Sequence, residues 1–202
     1  MDLNYNTLNL FPSVIHIFDV NGFSEVQDEL INYAYDLKNK EPEGVIISNQ
    51  GGWQSSDFSV NNEYDLLHSF LINCLAGFPV IQESFNIKID AWVNINKPGD
   101  CNIKHNHPGV DLAGVLWIKC PENCGVIEFD SPTVFQSHTQ INSYTEDFKN
   151  QNNLFHSYYF NPTEGRILVF PAHLDHHVQK NKSTEDRICL LYTSPSPRDR
   201  YG

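Results

Sequence analysis

The chain has 202 residues, 40% of them hydrophobic and 12% aromatic, which suits one folded domain with a sizeable core. Its 25 acidic residues against 13 basic give a formal net charge of -12, which repels a phosphate backbone and argues against nucleic acid as a partner. There is no run of about 18 apolar residues and no basic stretch leading into an apolar one at the N-terminus, so the expectation is a cytoplasmic chain without membrane contact.

"SVIHIFDV" (13–20) is apolar and β-branched, and "NGF" breaks it, so a first strand is expected there. Over Ser24 to Asn39 the residues Val26, Leu30, Ile31, Ala34, Tyr35 and Leu37 fall near a 3.6 period, which predicts a helix with Ser24 as N-cap and Asp28 in its first turn. A second helix is expected over 62–75, from Leu66, Leu67, Phe70, Leu71 and Leu75, with "GFP" ending it. Both apolar stripes read as core-facing.

From Phe85 the pattern changes to short segments between turn signals: "FNIKIDAWVNI", "KPGD", "AGVLWIKC", "PENCG", "VIEFD", "SYYFNP" and "RILVF". Strands punctuated by Gly and Pro at this density indicate an antiparallel sandwich or barrel with two helices packed on it. The polar stretch 133–157 interrupts the rhythm, either as a lid or as a surface excursion. The cysteines, Cys74, Cys101, Cys120, Cys124 and Cys189, are odd in number and read as free thiols. Cys120 and Cys124 flank "PEN" but have no second pair or suitably spaced histidine near them, which disfavours zinc.

Two histidine clusters carry the chemistry. In "KHNHPG" His105 and His107 are one residue apart, and in extended chain residues i and i+2 share a face, so both imidazoles can reach one centre. Alone, such a pair can equally be a polar strand end. "FPAHLDHHVQKN" adds His173, His176 and His177, any of which could supply the distant third ligand of a facial metal site. Strand alternation lets only one of the adjacent pair His176 and His177 point inward. Arg187 follows His176 by eleven residues, and the turn-like "NKSTED" between them would fold it back towards the same pocket. There it could clamp a carboxylate bidentately, or else sit on the surface paired with Glu185 or Asp186.

Together these pieces resemble the iron(II)- and 2-oxoglutarate-dependent oxygenases, and most closely the 2OG-Fe(II) oxygenase group common in bacteria and phages. The resemblance rests on "SNQGGWQSS" (48–56), "AWVNINKPGD" (91–100), "KHNHPGVDLAGVLWIK" (104–119), "GVIEFDSP" (125–132) and "GRILVFPAHLDHHVQKN" (165–181). It implies a mainly β fold, a double-stranded β-helix (jelly roll) core with N-terminal α-helices. It implies Fe(II) held by His105, His107 and His176, with 2-oxoglutarate and O2 as co-substrates. Arg187 then matches the arginine that holds the C5 carboxylate of 2-oxoglutarate. Asn94 and Asn96 fall where related oxygenases place co-substrate-binding polar residues, although such residues also serve turns and strand edges.

The wider superfamily has Asp or Glu where this chain has His107; the closer group resembles it in carrying His-x-His. Asp100 and Asp111 are the nearest carboxylates that could ligate instead or orient an imidazole. In "SNQGGWQSS" Gly51 and Gly52 suggest a backbone turn, and Trp53 reads as a packing anchor ahead of any substrate-facing role for it or Gln54. The implied activity is hydroxylation of a small-molecule or peptide substrate. Two other functions remain open: a three-histidine dioxygenase independent of 2-oxoglutarate, and a non-catalytic β-sandwich binding or sensor module. Residues 189–199 resemble a sequencing adapter translated in frame. The expected division is thus a single domain over 1–188 and an artefactual tail over 189–202, in which "ICLLY" is apolar enough to form a last strand and "TSPSPRDRYG" should be exposed.

Overall fold

The computed structural model describes residues 4–59, 70, 73, 89–133 and 141–195. In chain order the strands are β1 (His16–Asp19), β2 (Asn49–Gln50), β3 (Trp53–Gln54), β4 (Phe58–Ser59), β5 (Asp90–Asn96) and β6 (Cys101–His105). They continue with β7 (Val110–Lys119), β8 (Ile127–Asp130), β9 (Ser157–Phe160), β10 (Arg166–Pro171), β11 (His176–Val178) and β12 (Arg187–Pro195). All pairings are antiparallel. They build a seven-stranded sheet in the order β1-β10-β7-β12-β5-β3, with β4 also on β5, and a five-stranded sheet in the order β2-β6-β11-β8-β9. From β5 to β12 the chain passes back and forth between the two sheets, which makes the core a jelly roll.

Alternation along the larger sheet sorts its side chains onto two faces. On the outer face Ile95, Leu116, Ile118, Ile167, Ile188 and Leu190 cluster with Leu30 and Ala34 of helix α1 (Gln27–Lys40). On the inner face Val115, Trp117, Leu168, Phe170 and Cys189 meet Ile127 and Phe129 of the smaller sheet. Asn94, Asn96 and Arg187 stand on this inner face, and His105 and His176 of the smaller sheet line the same cavity between the sheets.

Helix α1 starts later than its periodicity suggests. Phe23 is buried, and Gly22 adopts φ 70, so Phe23–Glu25 forms a tight 3-10 turn that contains Ser24. The α-helix begins at Gln27, and Val26 at its N-cap makes no side-chain capping bond. Asp28 and Glu29 in the first turn and Lys38 and Lys40 in the last complement the helix dipole. The helix expected over 62–75 lies outside the described residues, apart from the helical Phe70 and Asn73.

Within the polar stretch before β9, Thr145 caps a short helix α2 (Glu146–Asn152), its side chain accepting from the Phe148 N–H at 3.3 Å. Asn153 in the left-handed region ends it. The last strand runs on past Tyr192 to Pro195, because its ladder continues on both sides: Thr193 pairs with Asp90 of β5 and with Ala113 of β7. Thr193 is buried there, where an exposed segment was expected. No helix among the described residues is long and apolar enough to cross a membrane.

Candidate metal and co-substrate site

Strands β6 and β11 bring the two histidine clusters together, with His105 and His176 as direct cross-strand partners. The next matched pair is Asn102 with Val178, so three steps along β6 match two along β11. This β-bulge turns both Asn102 and His105 towards the interior, although strict alternation would separate them, and it leaves Ile103 exposed. His107 lies beyond the strand end. Its backbone N–H donates to the Ala172 carbonyl at 2.9 Å, and Gly109 at φ 83 then turns the chain into β7.

The candidate ligand atoms of His105, His107 and His176 all lie within 4.8 Å of one another. Nδ1 of His105 is 2.8 Å from the Ile103 carbonyl, and Nδ1 of His176 is 2.9 Å from the Leu174 carbonyl. A carbonyl only accepts, so in each ring Nδ1 carries the proton and Nε2 keeps its lone pair for a ligand. Burial pushes His176 down to about 3; burial and then the neighbouring His105 push His107 down to about 4; burial lowers His105 as well. All three imidazoles are therefore neutral at pH 7, the form that binds metal.

The other candidates fall elsewhere. His173 is exposed in the turn before β11, and His177 faces away, 3.5 Å from Glu128. Oδ2 of Asp100 accepts from the Lys97 N–H at 2.7 Å within the β5–β6 turn, and neither Asp100 nor Asp111 belongs to the histidine cluster.

Arg187, the first residue of β12, pairs with Asn96 of β5 and is only 1% exposed. The surface partners open to it are engaged elsewhere: Glu185 with Lys119 at 2.8 Å and Asp186 with the Tyr35 hydroxyl at 3.0 Å. Its Nη1 donates to the carbonyls of Cys124 and Gln179, whereas Nε and Nη2 are buried without a hydrogen-bond partner. Asn94, inside β5, and Asn96, its last residue, are also buried, with Asn94 Oδ1 and Asn96 Nδ2 unpartnered. These groups line the same cavity as the three histidines, walled by Val115, Trp117 and Phe170. Buried unpartnered donors on a guanidinium are costly, and a bound carboxylate would satisfy them.

Trp53 is buried in the outer cluster, with its Nε1 donating to the Glu41 carbonyl at 2.8 Å, and Gln54 is buried too. The glycines before them permit close approach: a Cβ at Gly52 would stand 2.5 Å from Asn96 Nδ2. Asn102 and Trp117 join the cavity wall without having been marked by the sequence, because the bulge and the sheet pairing that aim them leave no local signature.

Three imidazoles and a buried guanidinium thus line one cavity between the two sheets of the jelly roll. The sequence profile described as "Putative 2OG-Fe(II) oxygenase" matches residues 90–192, just over half of the 202-residue chain, and the chain belongs to that family. Among solved structures, a prolyl-4-hydroxylase from Pseudomonas putida is similar at 11% identity and TM-score 0.55, over 90% of this chain and 91% of that one. A Trichoplax adhaerens prolyl hydroxylase in complex with a peptide fragment of hypoxia inducible factor matches at 10% identity and TM-score 0.62, over 92% and 85%. HygX from Streptomyces hygroscopicus, with nickel and 2-oxoglutarate bound, matches at 8% identity and TM-score 0.61, over 92% and 84%. At these identities the likeness speaks for the fold. No curated protein sequence matches the chain.

Proposed function

We propose that the protein is a non-haem Fe(II)- and 2-oxoglutarate-dependent hydroxylase in which His105, His107 and His176 hold the metal. In this reading Arg187 holds the distal carboxylate of 2-oxoglutarate, flanked by Asn94 and Asn96. The observation that carries it is the pair of unpartnered donors on buried Arg187, in the cavity that the three imidazoles also line. The donor set suits the metal, since neutral imidazole is a borderline ligand that accepts Fe(II) and three such ligands leave positions open. Loaded with Fe(II), 2-oxoglutarate and O2, such a centre couples decarboxylation of the co-substrate to hydroxylation of a C–H bond.

The chain's own residues supply the geometry. The carbonyls of Ile103 and Leu174 fix the tautomer of His105 and His176, as carbonyl partners of metal-bound histidines do. The Cys124 and Gln179 carbonyls hold one edge of the guanidinium and leave the other edge for the carboxylate. Val115, Trp117 and Phe170 give the cavity an apolar wall, which strengthens each charge interaction beside it. The substrate is a small molecule or a peptide; the peptide held by one structural neighbour and the acidic charge balance support this choice.

Anaerobic titration with Fe(II) and then 2-oxoglutarate tests the reading through the weak visible charge-transfer band of the ternary complex. A folded chain that gives no band would sink the proposal. Turnover that survives Arg187→Ala would instead favour a three-histidine dioxygenase that does not use 2-oxoglutarate.

A further inference from the structure

The residue between the first two candidate ligands, Asn106, donates from Nδ2 to Oδ1 of Asp175 at 2.8 Å. Asp175 immediately precedes the third, His176, and its backbone carbonyl accepts from the Asp130 N–H of β8 at 2.9 Å. One side-chain hydrogen bond therefore joins the segment carrying His105 and His107 to the segment entering His176. Lys104 pairs with Asp130, and its Nζ is 3.7 Å from Asp175 Oδ2, beyond hydrogen-bond reach.

The backbone needs such a tie. Past His105 the β6–β11 ladder has no further matched pair on this side, and the His107 backbone is tied outside the ladder, through its own N–H to Ala172. Both ligand-bearing segments are thus at strand ends, where fraying would spread the imidazoles apart. We propose that Asn106 and Asp175 are positioning residues, an interstrand clip that sets the spacing of the three imidazoles and so raises metal affinity. The inference rests on the metal reading given above.

Metal binding alone tests it, without turnover. Co(II) affinity is measured by its visible absorption in the wild type, Asn106→Ala, Asp175→Ala, the double alanine variant and the exchanged pair Asn106→Asp with Asp175→Asn. The exchange keeps the net charge and restores the bond with donor and acceptor reversed. Each single alanine should weaken binding about tenfold, the usual scale for partners that orient ligands. The double variant should be no weaker than either single one, and the exchanged pair should return to within about threefold of wild type. Losses that multiply in the double variant, or an exchanged pair as weak as the alanine variants, would overturn the clip. A wild type that binds no Co(II) would overturn the metal site itself.

Discussion

Replacing Arg187 with methionine separates its role in binding from its role in folding. The side chain is 1% exposed and makes hydrogen bonds to two carbonyls, but leaves Nε and Nη2 unpartnered. Losing two charge-assisted bonds costs about 1.5–3 kcal/mol each, and removing two orphaned donors returns about 1–3 kcal/mol each. The terms nearly cancel, so Arg187→Met should unfold within about 2 kcal/mol of the wild type when both are free of ligand. The bound forms should differ. With Mn(II) present and 2-oxoglutarate at a hundred times its Kd, the wild type gains about 2.7 kcal/mol. For a chain of 202 residues that is a rise in Tm of about 5–11 °C. Arg187→Met should rise by less than about 2 °C on adding 2-oxoglutarate, yet gain at least as much from Mn(II) alone as the wild type does, because one positive charge has left the cavity. Calorimetry of both proteins with metal, and then with co-substrate, reads each quantity. A variant that 2-oxoglutarate still stabilises, or one that loses more than about 5 kcal/mol unliganded, would refute the reasoning.

His107→Ala removes a candidate ligand, so its Co(II) affinity should fall by more than the roughly hundredfold ceiling for orienting partners, whereas His107→Asp should still bind; titration of both separates ligand from bystander. Gly52→Ala sets a Cβ 2.5 Å from Asn96 Nδ2 and 3.2 Å from the Ile95 carbonyl. It should weaken 2-oxoglutarate binding severalfold, at a stability cost of about 1–3 kcal/mol seen in urea denaturation. Trp53→Ala should cost about 3–5 kcal/mol by the same method, because the ring is buried against α1 and its N–H is engaged; a loss below about 1 kcal/mol would remove its role as an anchor.

What the sequence shows depends on whether a side-chain pattern or a pairing creates the feature. Strands β5, β7, β8 and β10 are legible because each carries an apolar run that fills the core between turn residues. Strands β2, β3 and β4 are two residues long and exist only through their partners, so nothing in "SNQGGWQSSDFS" (48–59) marks them. The histidines could be nominated by type and spacing, but their convergence needs the β6–β11 register and its bulge, which are long-range facts. Ser24 looks like a cap because its residue type is right, and burial of its neighbour Phe23 overrides that local preference. Arg187 has the right spacing from His176, while its burial follows from the pairing of β12 with Asn96 of β5, a long-range fact.

The missing carboxylate at position 107 has an energetic consequence that can be measured. Burial keeps the free imidazoles neutral, so before loading the charge fixed within the cavity is the Arg187 guanidinium. A divalent metal brings the total to three positive charges between apolar walls, and uncompensated buried charge costs several kcal/mol per ion. The dianion of 2-oxoglutarate would cancel two of them, which couples the two binding events: each ligand should tighten the other by the same factor. A tenfold coupling corresponds to about 1.4 kcal/mol, a modest share of that penalty. Mn(II) affinity measured with and without 2-oxoglutarate should therefore improve at least about tenfold in the wild type. In His107→Asp the added carboxylate already offsets one charge, so the same ratio should shrink. An equal or larger ratio in that variant would show that charge compensation does not link the two sites.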